Sequence, residues 1–223
     1  MHLTVIGKYG PYPAPGGKTS CYLLESGSTK IALDFGSGAI AGIGQYTDVK
    51  ALDAVVLSHL HNDHIADILP LEYVAQLHKI RSKLFLPFTE CPQLEFIKAS
   101  GLFELNRVTD GFTAQIGGLS LSFRRMPHPV ESYAVKITDG KSVFVYTGDT
   151  SWDERLVPFC MGAKLVVMDC NGGGPHASVL DAECLADSTG AFVIATHLFP
   201  GIEYVSLHPK VRIAEEGERH EIE

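Results

Sequence analysis

The order of predicted elements indicates a mixed α/β fold built from two sheets covered by helices. Two observations carry this. The chain runs β-rich, then helical, then β-rich, then helical, which favours two mixed sheets over one doubly wound parallel sheet. The apolar runs are also short and repeatedly stop at histidine or aspartate, so several strands deliver polar side chains at their ends.

In chain order, His2–Gly7 reads as a first strand, and Tyr9–Lys18, rich in proline and glycine, as a loop. Thr19–Glu25 and Lys30–Asp34 read as a hairpin around Ser26-Gly27-Ser28. Phe35-Gly36-Ser37-Gly38 is a tight turn rather than a phosphate cradle and leaves Asp34 at a strand end. A short helix is expected over Gln45–Ala51, a buried strand over Ala54–Leu57, and a helix over Ala66–Lys79 with a kink or new start at Pro70. Lys83–Leu86 is a strand, and Pro92–Ser100 a helix with proline in its first turn. Strands follow over Phe112–Ile116, Leu119–Met126, Tyr133–Thr138 and Ser142–Tyr146, the last two joined by the turn signal Asp139-Gly140. The final third alternates: strand Leu165–Met168, helix Val179–Asp187 and strand Ala191–Ala195. A last hairpin, Val211–Ala214 with Glu218–Ile222, is expected around Glu215-Glu216-Gly217.

Composition narrows the function classes. The 223 residues form one domain on the simplest reading, long enough for a substantial core. No apolar run approaches the roughly 20 residues that cross a bilayer, and Met1-His2-Leu3-Thr4-Val5-Ile6 looks like a strand rather than a secretory leader. A cytoplasmic protein without membrane partners is therefore expected. The five cysteines are scattered without a Cys-x-x-Cys pair, which fits reduced, mostly buried thiols. A net charge of −8 and the absence of a Lys/Arg block argue against a broad phosphate-neutralising surface.

The candidate site begins at Ser58-His59-Leu60-His61-Asn62-Asp63-His64, where three histidines and a carboxylate follow a buried strand within six residues. Borderline-soft divalent metals such as zinc take this mixture of nitrogen and oxygen donors. A lone histidine is usually structural; four donors so placed are read as metal ligands. His128, between two prolines, Asp149 in Thr147-Gly148-Asp149-Thr150, and His197 occupy the same kind of position after later apolar strands. Each alone is an ordinary turn residue, and their number gives them weight, because two ions need about four ligands each with a shared carboxylate.

The pattern His59-x-His61-x-Asp63-His64, followed by His128, Asp149 and His197, closely resembles the metallo-β-lactamase superfamily over nearly the whole chain. Met126-Pro127-His128-Pro129-Val130-Glu131-Ser132-Tyr133-Ala134-Val135 resembles its ribonuclease Z branch. The resemblance implies a four-layer αββα sandwich. It also implies that His59, His61 and His128 hold one divalent ion while Asp63, His64 and His197 hold a second, with Asp149 bridging. Zinc is the expected metal, with Mn2+ and Fe2+ as alternatives. The implied activity is two-metal hydrolysis by a metal-bridging hydroxide, with Asp63 as a catalytic carboxylate and a homodimer as the expected assembly.

His176 is the second catalytic candidate. It lies between a glycine-rich loop and the capping-box spacing Ser178–Asp181, and the resemblance implies contact with the scissile phosphate or leaving oxygen. Asp169 is a candidate to orient it, and Asp34 to hold a ligand imidazole. His2, His78, His208 and His220 have no comparable context.

Residues 129–148 leave room only for one hairpin where tRNA-processing members of the branch carry a protruding arm. A phosphodiesterase for cyclic nucleotides or short oligonucleotides is therefore expected, with tRNA 3′ processing or lactone and thioester hydrolysis as alternatives. A redox di-iron site is disfavoured by His61, which such sites replace with glutamate.

Overall fold

The computed structural model describes residues 1–223. The first half contributes β1 (His2–Gly7), β2 (Cys21–Ser26), β3 (Thr29–Leu33), α1 (Ala39–Ile43), β4 (Ala54–Val56), α2 (Asn62–Ile65), α3 (Ile68–His78), β5 (Ser82–Pro87), α4 (Pro92–Ser100) and β6 (Phe103–Val108). The second half contributes β7 (Thr113–Ile116), β8 (Leu119–Met126), β9 (Ser132–Thr138), β10 (Val143–Tyr146), α5 (Leu156–Cys160), β11 (Leu165–Asp169), α6 (Val179–Thr189), β12 (Phe192–Thr196), β13 (Val211–Ile213) and β14 (Arg219–Glu221). Two seven-stranded sheets result, ordered β14-β1-β2-β3-β4-β5-β6 and β13-β12-β11-β10-β9-β8-β7.

Side-chain alternation along the strands explains the layering. On β2, Tyr22 and Leu24 face the opposite sheet while Cys21 and Leu23 face the helices. The cluster between the sheets joins Leu3, Ile31 and Val56 to Leu121, Ile137, Phe144 and Val167. A second cluster packs Leu23, Val55 and Leu84 under Ile43, Ile68 and Leu94, and a third packs Val145, Val166 and Val193 under Leu156 and Leu185. Strands apolar on both faces must be covered on both. Three cores separate four layers, and the fold is an αββα sandwich.

Several local expectations change. The helix expected over Gln45–Ala51 shrinks to a 3-10 turn at Val49–Ala51, and α1 forms earlier instead. Its first amides, Gly38 N–H and Ile40 N–H, donate to the Asp67 carboxylate from the chain before α3, a cap that no local pattern announces. The Phe35–Gly38 turn is tight as expected, with Gly38 at a φ of 85°. Of the kink or new start expected at Pro70, the new start is found: α3 begins at Ile68, with Pro70 in its first turn, where its missing N–H costs nothing. Strand β6 and helix α5 were not anticipated. The polar Glu104, Asn106 and Arg107 dilute the pattern of β6, which lies at a sheet edge.

The C-terminal hairpin is a correction. β13 pairs parallel with β12, whereas β14 pairs antiparallel with β1 in the other sheet. The turn at Gly217 is present, but it carries the chain from one sheet to the other. Gly217 N–H donates to Val5 O, and Lys8 and Lys18 bind Glu215 and Glu216 at 2.6 and 2.9 Å. All five cysteines are free, and Cys184 is exposed rather than buried. No helix is long and apolar enough to cross a membrane.

Candidate metal centre

Strand ends of both sheets meet at one end of the sandwich. His59 and His61 follow β4, and Asp63 and His64 occupy the first turn of α2. From the second sheet, His128 follows β8, Asp149 follows β10, Asp169 ends β11 and His197 follows β12. All seven predicted ligands come together.

They form two groups around a shared carboxylate, and a third group joins Asp149 and His197 to Asp169 and His176. His59, His61, His128 and Asp149 place one ligand atom each within 4.8 Å of one another, and so do Asp63, His64 and His197. Asp149 reaches both groups, with Oδ2 at 3.6 Å from His59 Nε2 and Oδ1 at 3.3 Å from His64 Nε2. Tetrahedral donors about 2.0–2.1 Å from zinc lie roughly 3.3 Å apart. The His61 Nδ1–His128 Nε2 separation of 3.3 Å and the His197 Nε2–Asp149 Oδ2 separation of 3.4 Å match that spacing.

Surrounding groups fix the ring orientations. The buried Asp34 carboxylate accepts from Ser58 N–H at 2.7 Å, Ser58 Oγ at 2.8 Å, His64 Nδ1 at 2.6 Å and the Tyr146 hydroxyl. His64 Nε2, on the far side of that ring, is buried without a hydrogen-bond partner and faces Asp63 and Asp149. An imidazole held through Nδ1 with its other nitrogen orphaned toward carboxylates is a ligand in waiting. The residues present therefore fit divalent metal.

The electrostatics agree. Burial pushes the His59, His61 and His128 imidazoles below their ordinary value, toward the neutral form that binds metal. Burial also opposes charge on His64 and His197, but the carboxylates win. Asp149, Asp34 and Asp63 raise His64 well above its usual range, and Asp149 and Asp169 push His197 up to about 10. Burial likewise opposes ionisation of Asp63 and Asp149, yet the neighbouring imidazoles hold both below the usual carboxylate range. Metal binds neutral imidazoles, so a divalent ion competes with protons for His64 and His197.

The metallo-β-lactamase superfamily profile matches residues 14–197. The chain belongs to this superfamily. It is 34% identical over 212 residues to the probable metallo-hydrolase YhfI of Bacillus subtilis (strain 168), covering 89% of this chain and 87% of that one. The crystal structure of YhfI superposes with a TM-score of 0.89 at 29% identity over 98% of each chain. Human tRNase Z, short form, has the same fold, with a TM-score of 0.82 at 16% identity over the full length of both chains. A diphosphatase from the PhnP family follows with a TM-score of 0.78 at 16% identity, over 100% of this chain and 98% of that one.

Three contributors to this metallo-hydrolase site escaped the sequence reading. Ser58 and Tyr146 both serve Asp34. The third is a brace around Asn171, whose Nδ2 donates to Gly10 O and His197 O, each at 3.1 Å. Gly10 lies so close to the His197 ring that an added Cβ would collide with Nε2. Gly10→Ala is therefore expected to displace His197, leaving about one metal ion per chain where the wild type binds two, as elemental analysis would read. The four histidines set aside lie elsewhere; His208 binds Asp187 at 3.0 Å and His220 approaches Glu218 at 3.4 Å.

Proposed function

We propose that this metallo-hydrolase is a dinuclear, zinc-dependent phosphodiesterase acting on cyclic nucleotides or short oligonucleotides. His59, His61 and His128 would hold one ion, Asp63, His64 and His197 the other, and Asp149 would serve both. Bound ions would supply Lewis acidity and an activated water at neutral pH. The protein supplies placement: Asp63, hydrogen-bonded to His197 Nε2 at 3.0 Å, is fixed at the edge of the centre where it can orient the attacking water.

The observation that carries the reading is the Asp169–His176 pair. Asp169 Oδ2 accepts from His176 Nδ1 at 2.7 Å, and Asp169 is itself held by Thr150 N–H and Asn171 N–H. The His176 ring stacks on His197 at 4.9 Å and stands 5.4 Å from His128, while the Ser178–Asp181 capping box anchors the following helix. His176 is thus an oriented imidazole beside the centre, beyond the seven residues assigned to the ions. With Nδ1 committed to Asp169, Nε2 is the nitrogen left to protonate a departing alkoxide, a group of high pKa that phosphodiester cleavage must expel. Asp169 acts as its positioning residue.

The surroundings support the substrate class. β9 runs through the Asp139-Gly140 turn directly into β10, leaving no projecting arm between His128 and Asp149. With a net charge of −8, this favours a small phosphodiester over a folded RNA.

His176→Ala is expected to lower kcat by roughly 10²–10⁴-fold while metal content stays at the wild-type level. The substrate reading is tested by giving the zinc-loaded protein bis-p-nitrophenyl phosphate beside lactones and thioesters. Preferential turnover of the phosphodiester supports it; selective turnover of a lactone or thioester would replace it.

A further inference from the structure

The chain segments that meet at His197 carry two exposed aromatic rings. Tyr12 is 50% and Phe199 37% exposed, and they meet edge to face with centroids 5.5 Å apart at 77°. Tyr12 stands two residues beyond Gly10, which abuts the His197 ring, and Phe199 two residues beyond His197 itself. Two residues of extended chain span about 7 Å at most, so both backbones lie within the reach that separates a nucleotide's phosphate from its base.

The segments bearing these rings are tied down. Gly10 N–H donates to Leu198 O and Leu198 N–H to Lys8 O. Asn171 holds Gly10 O and His197 O together, and the Tyr204 hydroxyl accepts from Phe199 N–H while donating to Asn171 O, both at 3.0 Å. Charge is spoken for nearby, because Lys8 and Lys18 are committed to Glu215 and Glu216. A firmly held, solvent-facing aromatic pair next to a metal centre is what a flat, uncharged ring recognises.

We propose that Tyr12 and Phe199 form a stacking subsite for the nucleobase of the substrate. The inference rests on the phosphodiesterase reading and sharpens it: the phosphodiester carries a base within one nucleotide of the scissile bond. An edge-to-face pair leaves ring faces open, and stacking is tolerant of base identity, so the subsite favours nucleotides over sugar phosphates without selecting strongly among bases.

The test is calorimetric binding of adenosine 5′-monophosphate, ribose 5-phosphate and inorganic phosphate to the zinc-loaded protein. The wild type is expected to bind the nucleotide roughly tenfold more tightly than ribose 5-phosphate. Tyr12→Leu and Phe199→Leu should each erode that preference while leaving affinity for inorganic phosphate unchanged. Tyr12→Phe and Phe199→Tyr, which keep a ring, should retain it. A wild type without preference, a preference that survives both leucine exchanges, or an equal loss of phosphate binding would overturn the subsite. Because binding is read without turnover, an intact preference in a protein inactive on phosphodiesters would sink the activity reading alone.

Discussion

Asp149→Ala is expected to leave the protein folded, with at most one metal ion per chain, and nearly inactive. Loss of an outer hydrogen-bond partner of a metal ligand typically costs about 10–100-fold in affinity or activity; removing the only carboxylate shared by both groups should exceed that. Asp149 is 2% exposed and lies within 3.6 Å of imidazole nitrogens of His59, His64 and His197. Without it His59 loses its carboxylate contact, and the Nε2 atoms of His64 and His197 are left to Asp63. Elemental analysis of the purified variant, read with its rate on bis-p-nitrophenyl phosphate, checks the expectation. A variant retaining two ions and wild-type turnover would remove Asp149 from the bridging role.

Asp34→Ala should produce the largest loss of stability. Its carboxylate touches no substrate, yet it gathers Ser58 N–H, Ser58 Oγ, His64 Nδ1 and the Tyr146 hydroxyl in a fully buried position. Burial, with Asp34 next, pushes the Tyr146 hydroxyl far above its usual range, so it remains a donor at all working pH values. Breaking a buried, paired charge costs about 3–5 kcal/mol, which for a domain of this size lowers Tm by roughly 10 °C. The His64 ring also loses its anchor, so affinity for the second ion should fall about 10–100-fold. Thermal melts with and without zinc separate the two effects. Unchanged zinc affinity would mean that Asp34 supports the fold but not the ligand.

Much of the site was legible because each ligand follows an apolar strand. A strand buried on both faces announces itself by composition, and the polar residue that ends it stands out. Asp34 was legible for the same reason. What stayed hidden is long-range. Ser58 lay within the opening cluster, but its service to Asp34 depends on the pairing of β3 with β4. Asn171 sat in a glycine-rich loop whose partners, Gly10 and His197, come from distant parts of the chain. The C-terminal turn and both of its strands are legible but their pairing is not, because three-residue strands carry too little pattern to say which sheet they join. Helix α1 depends on a cap lent by Asp67, which local propensity does not contain.

These expectations all require that one chain hold two ions around Asp149. Zinc titration of the metal-free protein, followed by elemental analysis and activity at each step, addresses it directly. Two equivalents of zinc per chain are expected, with phosphodiesterase activity rising to its full value only as the second is bound. Saturation at one equivalent, or full activity before the second ion enters, would contradict it.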